Sequence, residues 1–192
     1  MITNLKPLNK CFDLPHFKAD HWGTVLQTLS LWPNHTWWVT LDLRNWFFHL
    51  ALHPQAQRWV RVRTAWAAYQ FLGLPFGLSC SPYWTTKLAK VVISHQCSRG
   101  MVLVWYIDDI LLLNTSSAKI LDNLREIVTL LNTLGVQLNQ QKCHLTPCQT
   151  VQYLGQHIDL NSKRISPTAS KLLGCKRLCK QLTLGNHTHP VA

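Results

Sequence analysis

The segment VLVWYIDDILLL, residues 102–113, contains the strongest fold signal in the chain. Ten of its twelve residues are apolar or aromatic, yet Asp108 and Asp109 lie side by side near its centre. The flanking runs predict two short buried strands joined by a tight turn at Ile107, Asp108 and Asp109. Adjacent carboxylates in an apolar setting repel each other and lose hydration. The pair is either a polar turn or a cation site, and the flanks lack the Gly, Asn or Pro of a plain hairpin.

Acidic residues are scarce in this 192-residue chain, which has eight Asp and Glu against nineteen Lys and Arg and a formal net charge of +11. No acid occurs between Asp42 and Asp108, so Asp42, Asp108 and Asp109 are isolated negative charges in a basic sequence. This pattern predicts a cation site beside a phosphate-binding surface. The basic excess favours a polyanionic partner, with nucleic acid first and an anionic membrane surface second.

Periodicity predicts an α+β fold in which helices pack on one face of an antiparallel sheet. The strands alternate apolar and polar residues, and the helices are bounded by capping residues. In chain order, the predicted elements are a strand at WWVTLDL (37–43), a ribbon of RWVRVRT (58–64) and AYQFLGL (68–74), a helix from Ser81-Pro82 to about Gln96, the 102–113 hairpin, a helix from Ser116 or Ser117 to Leu134 that Gly135 ends, and a hairpin over 152–165.

Two of the predicted strands carry an acid where they end. Asp42 lies near the end of the first strand and Asp108 lies in the hairpin turn, so a sheet can bring both carboxylates to one edge. Two divalent ions about 3.5–4 Å apart, held by such carboxylates, stabilise the attacking and leaving oxygens of phosphoryl transfer. Mg²⁺ prefers oxygen ligands and is often held by one or two carboxylates together with substrate phosphates. The residues themselves therefore favour metal-dependent chemistry on a phosphate substrate.

A series of motifs resembles those of reverse transcriptases, in the family's order, over most of residues 2–160. Tyr106-Ile107-Asp108-Asp109 resembles the family's Y-x-D-D motif. The other matching segments are ITNLKPLNK (fingers), VTLDLRNWFFHLALHP (first catalytic motif), LPFGLSCSP (nucleotide and template loop), LNQQKC (lysine motif) and YLGQHID (primer-grip hairpin). The amino-acid sequence of these motifs is most similar to that of retrotransposon enzymes of tyrosine-recombinase (DIRS-type) elements, followed by long-terminal-repeat elements and pararetroviruses.

The resemblance implies a role for individual residues. Asp42 and Asp108 match the principal ligands of two Mg²⁺ ions, with Mn²⁺ as a possible substitute and Asp109 as the supporting carboxylate. Phe47 matches the aromatic residue under the deoxyribose, which would clash with a ribose 2′-hydroxyl and so favours DNA synthesis. The other implied roles are the Leu43 carbonyl beside the nucleotide-bound metal, Phe76 and Gly77 at the nascent base pair, Lys142 at the pyrophosphate leaving group, and Tyr153, Leu154 and Gly155 in the primer grip.

The resemblance also divides the chain into a partial fingers segment (1–36), a palm (37–160) and the start of a thumb or a frayed basic tail (161–192). The implied partners are an RNA or DNA template with its primer and deoxynucleoside triphosphates, without a membrane. The missing fingers, thumb and ribonuclease H parts are expected in a longer polyprotein. Seven cysteines without regular spacing favour a reducing, intracellular location, in the cytoplasm or nucleus.

Two departures from the family pattern leave other functions open. Trp46 stands where the family commonly has a small alanine, and unless its indole turns away it fills space that the substrate needs. The incomplete fingers and thumb make a truncated, catalytically silent nucleic-acid-binding domain, or a retroelement relic, the alternative function. An RNA-dependent RNA polymerase is disfavoured by Phe47 and by Tyr106, which replaces the Gly usual in that class.

Overall fold

A computed structural model of the chain describes residues 4–14, 22–33, 35–162 and 164–185. The remaining parts of the predicted fingers segment and of the predicted tail lie outside the described residues. The elements in chain order are α1 (Lys6–Asn9), α2 (Trp22–Ser30), β1 (Trp37–Asp42), a 3₁₀ turn (Trp46–His49), α3 (Pro54–Gln57), β2 (Arg61–Arg63), β3 (Ala68–Gln70), α4 (Cys80–Ser98), β4 (Val102–Tyr106), β5 (Asp109–Asn114), α5 (Ser117–Thr133), β6 (His144–Cys148), β7 (Thr150–Tyr153), β8 (Gln156–Asp159), β9 (Arg164–Pro167) and α6 (Ala169–Gly185).

The central sheet has four antiparallel strands in the order β4-β5-β1-β6. β5 pairs with β4 on one side and with β1 on the other, and residues 110–113 have no solvent exposure. This complete burial explains why the strand is a continuous apolar run rather than an alternating one. The predicted 102–113 hairpin is confirmed.

Two long helices pack against this sheet. α4 contacts β4, whereas α5 contacts β5, β1 and β6. α5 buries Ile120, Leu124, Ile127 and Leu131 at the spacing of one helical face. The Ser116 hydroxyl caps its first turn by accepting from the Lys119 N–H at 3.3 Å. The α+β class and the predicted start of α5 are confirmed, and the helix ends at Thr133, one residue before the predicted Leu134.

The predicted start of α4, with Ser81 as N-cap and Pro82 as the first helical residue, is wrong by two residues, because the helix begins at Cys80. Pro82 therefore lies third in the helix instead of first. Proline fits there because the first N–H groups of any helix lack an intrahelical acceptor. The Ser81 hydroxyl does not cap the helix but donates to the Pro75 carbonyl oxygen at 2.9 Å in the buried interior.

The remaining strands form two smaller sheets where one sheet was expected. β2 and β3 form a ribbon that is shorter than predicted, since residues 58–60 form a turn and β3 ends at Gln70. β7, β8 and β9 form a separate antiparallel sheet. Residues 169–185, in the segment expected to be the start of a thumb or a frayed basic tail, form α6. None of the helices within the described ranges is both long and apolar enough to cross a membrane.

Candidate active site

The three aspartates singled out in the sequence lie together at one end of the central sheet. Asp42, the last residue of β1, is the register partner of Asp109, the first residue of β5. The Leu43 N–H donates to the Asp108 carbonyl oxygen at 2.7 Å, which holds the hairpin turn against the end of β1. The pairing of β1 with β5 therefore joins carboxylates that are distant in sequence.

The turn between β4 and β5 contains only Ile107 and Asp108, because Tyr106 pairs directly with Asp109. Ile107 has a φ of 53°, an outlier for a β-branched residue. Such a conformation costs about 1–3 kcal/mol and persists only where the surroundings fix it. The Trp105 indole supplies such a contact, since its Nε1 donates to the Ile107 carbonyl oxygen at 2.8 Å. A local hydrogen bond from a side chain to the backbone thus supports a turn that lacks Gly or Asn.

Burial and mutual repulsion raise the carboxyl pKa values at this edge. Burial, followed by the charges of Asp108 and Asp42, raises the pKa of Asp109 to about 6, while Lys142 acts in the opposite direction. Burial is also the main cause that raises the pKa of Asp108; Asp42 adds to the rise, and a backbone hydrogen bond and Lys142 oppose it. A cation among these groups would favour their ionised forms.

The chemistry of this donor set fits a divalent cation that prefers oxygen. Within the described ranges, no three His, Cys, Asp or Glu side chains are gathered into a preformed metal-binding cluster. Mg²⁺ does not require one, because it usually keeps several waters and is held by one or two carboxylates with substrate phosphates. The raised pKa values of Asp108 and Asp109 agree with this fit, since crowded carboxylates gain most from a cation between them.

The segment between α5 and β6, residues 134–143, also contacts Asp42. The Asp42 carbonyl oxygen accepts from the Asn139 N–H at 2.8 Å, and the Asp42 N–H donates to Cys143 Sγ at 3.3 Å. Lys142 Nζ lies 3.5 Å from Asp42 Oδ2. Lys142, predicted at the leaving group, therefore contacts a predicted metal ligand. Sequence reasoning missed Cys143, although its position directly after Lys142 is the signal that points to it.

Two predicted nucleotide-contacting residues meet in an aromatic cluster. The buried Phe47 ring lies 5.1 Å from the ring of Phe76, which is 42% exposed, measured between centroids. Trp46 is only 3% exposed and packs against Trp105 and His49, with ring centroids 5.5 Å and 5.9 Å away. Its indole therefore points into the core. In this orientation Trp46 does not fill the space that the substrate needs.

The backbone at Leu43 and Gly77 is held by nearby structure. The Leu43 side chain is buried in the core directly after Asp42. Gly77 has a φ of 88°, which glycine adopts without steric cost. Its carbonyl oxygen accepts from Asn9 Nδ2 at 2.9 Å, and Asn9 Oδ1 accepts from the Ser79 N–H at 2.8 Å. Asn9 of α1, which the sequence did not reveal, thus fixes the loop.

The predicted primer-grip residues form the tip of the β7–β8 hairpin. Tyr153 is buried, and its hydroxyl donates to the Asp109 carbonyl oxygen at 3.2 Å. Leu154 and Gly155 make the two-residue turn with φ values of 48° and 70°. Lys171 of α6 donates through Nζ to the Leu154 carbonyl oxygen at 3.0 Å. The hairpin is therefore attached to the aspartate edge on one side and to α6 on the other.

Comparison with known proteins gives the class of this chain. The family described as reverse transcriptase (RNA-dependent DNA polymerase) matches residues 1–158, and the chain belongs to that family. Protein P of Duck hepatitis B virus (isolate white Shanghai duck S31) is 27% identical over 167 residues, which cover 86% of this chain and 21% of the viral protein. Protein P of Heron hepatitis B virus is 27% identical over 128 residues, 66% of this chain and 16% of that protein. The chain thus spans about a fifth or less of the length of these relatives.

Solved structures show the same fold. The foamy viral protease-reverse transcriptase in complex with RNA/DNA hybrid has a TM-score of 0.73 at 20% identity, covering 88% of this chain and 22% of that one. Its dRH form in complex with double-stranded DNA also has a TM-score of 0.73 at 20% identity, covering 87% and 28%. The predicted palm architecture is confirmed.

Proposed function

We propose that residues 37–160 form the catalytic palm of an RNA-directed DNA polymerase, which adds deoxynucleotides to a primer on a template. The observation that carries this proposal is the pairing of Asp42 with Asp109 across β1 and β5, with Asp108 in the adjoining turn. Membership in the reverse transcriptase family supports the same reaction class.

The cofactor of this proposal is Mg²⁺, as two ions, with Mn²⁺ as a possible substitute. Asp42 and Asp108 would hold the ions, and Asp109 would support them. When bound, such ions stabilise charge on the attacking and leaving oxygens of phosphoryl transfer. The chain itself keeps the carboxylates at one partly buried edge, and Lys142, 3.5 Å from Asp42, adds positive charge for the pyrophosphate leaving group.

The nucleotide pocket of this proposal lies between the end of β1 and the loop before α4. The Leu43 carbonyl would serve the nucleotide-bound metal, and Phe76 and Gly77 would contact the nascent base pair. Phe47 selects deoxynucleotides, since its ring is buried against Phe76 and has little room to move away from a ribose 2′-hydroxyl. The turn at Tyr153, Leu154 and Gly155 holds the primer.

The wider arrangement of the chain follows from the same proposal. Residues 1–36 belong to the fingers and residues 161–192 to the start of a thumb, which α6 supports. Template, primer and deoxynucleoside triphosphates are the partners, and the foamy viral structures with RNA/DNA hybrid and double-stranded DNA support a primed template of either kind. The rest of the fingers, the thumb and a ribonuclease H belong to a longer polyprotein.

The source of the chain is proposed as a retrotransposon of the tyrosine-recombinase type, acting in the cytoplasm or nucleus. The sequence resemblance of LKPLNK, YQFLGLPFGLS and YIDDIL to enzymes of that element type supports this assignment. The described cysteines form no disulfide, which fits a reducing compartment. The flanking genomic sequence tests the element type: a tyrosine-recombinase frame supports it, and an integrase frame in its place contradicts it.

A catalytically silent nucleic-acid-binding domain is the second candidate function. The net charge of +11 favours it, because phosphate attraction by itself accounts for non-specific binding. The experiment that separates the two is RNA-templated primer extension with Mg²⁺ by this chain expressed together with its flanking coding sequence.

The polymerase proposal predicts DNA synthesis that Asp108→Asn reduces about a hundredfold or more. Asp122→Asn is the matched control, since Asp122 lies on the exposed face of α5 and pairs with Arg125. Synthesis that persists in Asp108→Asn would overturn the proposal, and a longer chain without synthesis would favour the silent domain.

A further inference from the structure

A cavity of about 390 Å³ lies beside Lys142, next to the aspartate edge. This volume is in the range of about 300–1,000 Å³ that is usual for small-molecule sites. Its polar lining consists of Thr40, Lys142, His144, Thr150, Gln152 and His157. No acidic residue from the described part of the chain lines it.

Three segments of the fold bring this lining together. Thr40 and His144 are register partners across β1 and β6. Gln152 and His157 are register partners across β7 and β8. Lys142 lies two residues before the start of β6, and its Nζ reaches Asp42. The cavity therefore lies between the edge of the central sheet and the hairpin whose tip is the predicted primer grip.

The lining is rich in hydrogen-bond donors and carries positive charge. The Lys142 ammonium has three N–H donors and a full charge, and His144 and His157 each supply at least one ring N–H. Threonine hydroxyls and a glutamine amide add further donors. The ammonium repels a metal cation. A phosphate group fits this set, because its oxygens accept several bonds at once and bonds between charged groups are the stronger ones.

We infer that this cavity binds a phosphate group, with His144 and His157 as binding residues beside Lys142. The phosphate comes either from pyrophosphate released at the aspartate edge or from the backbone of the primer strand near Leu154. The phosphate site is inferred from the residues that line the cavity, whereas the choice between the two sources of phosphate rests on the proposed function.

The test measures binding of inorganic pyrophosphate by calorimetry and of a short DNA duplex by fluorescence anisotropy, both with the full chain and without metal. The double variant H144Q/H157Q retains polar side chains at two exposed positions, and circular dichroism checks its fold. The matched control is H95Q, because His95 is also exposed but lies on α4, outside the cavity lining. We expect the double variant to weaken binding of at least one ligand about tenfold or more, and H95Q to change neither.

The two ligands distinguish the source of the phosphate. Weaker pyrophosphate binding with unchanged duplex binding assigns the cavity to the leaving group, and the reverse assigns it to the strand backbone. Unchanged binding of both ligands by the folded double variant would overturn the inference, and so would an equal loss in H95Q. Both binding assays contain no metal and measure no DNA synthesis, so failure of the polymerase proposal and failure of this site are distinguishable.

Discussion

At the scale of single residues, Asp109 is held where ionisation is unfavourable. Burial and the charges of Asp108 and Asp42 raise its pKa from 3.8 to about 6. An acid with a higher pKa in the folded state binds its proton more tightly there, so the free energy of unfolding decreases as the pH rises from about 4 to about 6. The aspartate edge therefore destabilises the metal-free protein at neutral pH, as is common at functional sites.

Asp109→Asn removes this ionisation and should raise the free energy of unfolding of the metal-free chain. We expect a gain on the order of 2 kcal/mol at about pH 7.5 that disappears below about pH 4. Urea unfolding over a pH series with a chelator measures it. Asp122→Asn, at the exposed Asp122–Arg125 pair, is the control and should change little. A gain that does not depend on pH would contradict this account.

At the scale of elements, the β7–β8 turn is the point where α6 is attached. Lys171 donates to the Leu154 carbonyl oxygen, and a Cβ added at Gly155 would collide with the end of the Lys171 side chain. Gly100 has a similar positive φ, but a Cβ there would meet open space. A comparison of alanine substitutions at the two glycines therefore separates the cost of backbone strain from the cost of displacing Lys171.

Gly155→Ala should reduce the free energy of unfolding more than Gly100→Ala does. Backbone strain at a positive φ costs about 1–2 kcal/mol in both variants, and losing the Lys171 hydrogen bond adds about 1 kcal/mol in Gly155→Ala. Chemical denaturation measures the difference, and combining Gly155→Ala with Lys171→Ala should remove the additional cost. Equal losses in both single variants would show that Lys171 does not hold α6 to the turn.

The elements that the sequence predicts well are those with local causes. The alternation of 37–43 and the apolar face of 117–133 are sufficient to predict β1 and α5. β6 has no such pattern and contains Pro147. It pairs with β1 at the edge of the sheet with a shifted register and also contacts α5, so its position depends on tertiary contacts.

At the candidate site, some residues are predictable from local sequence, whereas other contacts depend on the fold. Asp42 and Asp108 are visible because each is an acid at the end of an apolar strand. The contacts of Lys142 and Cys143 with Asp42 depend on how the chain returns from α5 to β6. No local periodicity encodes that path, so these contacts appear only in the folded structure.

At the scale of the whole molecule, the chain supplies an edge of carboxylates but spans about a fifth of the relatives it matches. Orientation of the reacting groups lowers an activation barrier by roughly 7–11 kcal/mol. In the proposed mechanism, the fingers and thumb provide this orientation. The 192-residue chain by itself should therefore bind primer–template weakly, with affinity that falls steeply with salt, and should extend it little or not at all. Anisotropy at several salt concentrations and a gel assay test this. Processive extension that disappears in Asp108→Asn would show that the other parts are dispensable.

The central claim is that Asp42 and Asp108 hold divalent cations together. Electron paramagnetic resonance of Mn²⁺, titrated into the chain with primer–template and a deoxynucleoside triphosphate, tests it most directly. The account predicts protein-dependent Mn²⁺ binding that Asp42→Asn and Asp108→Asn each weaken about tenfold or more, while Asp122→Asn leaves it unchanged. Mn²⁺ binding that is equal in all four proteins would contradict the claim.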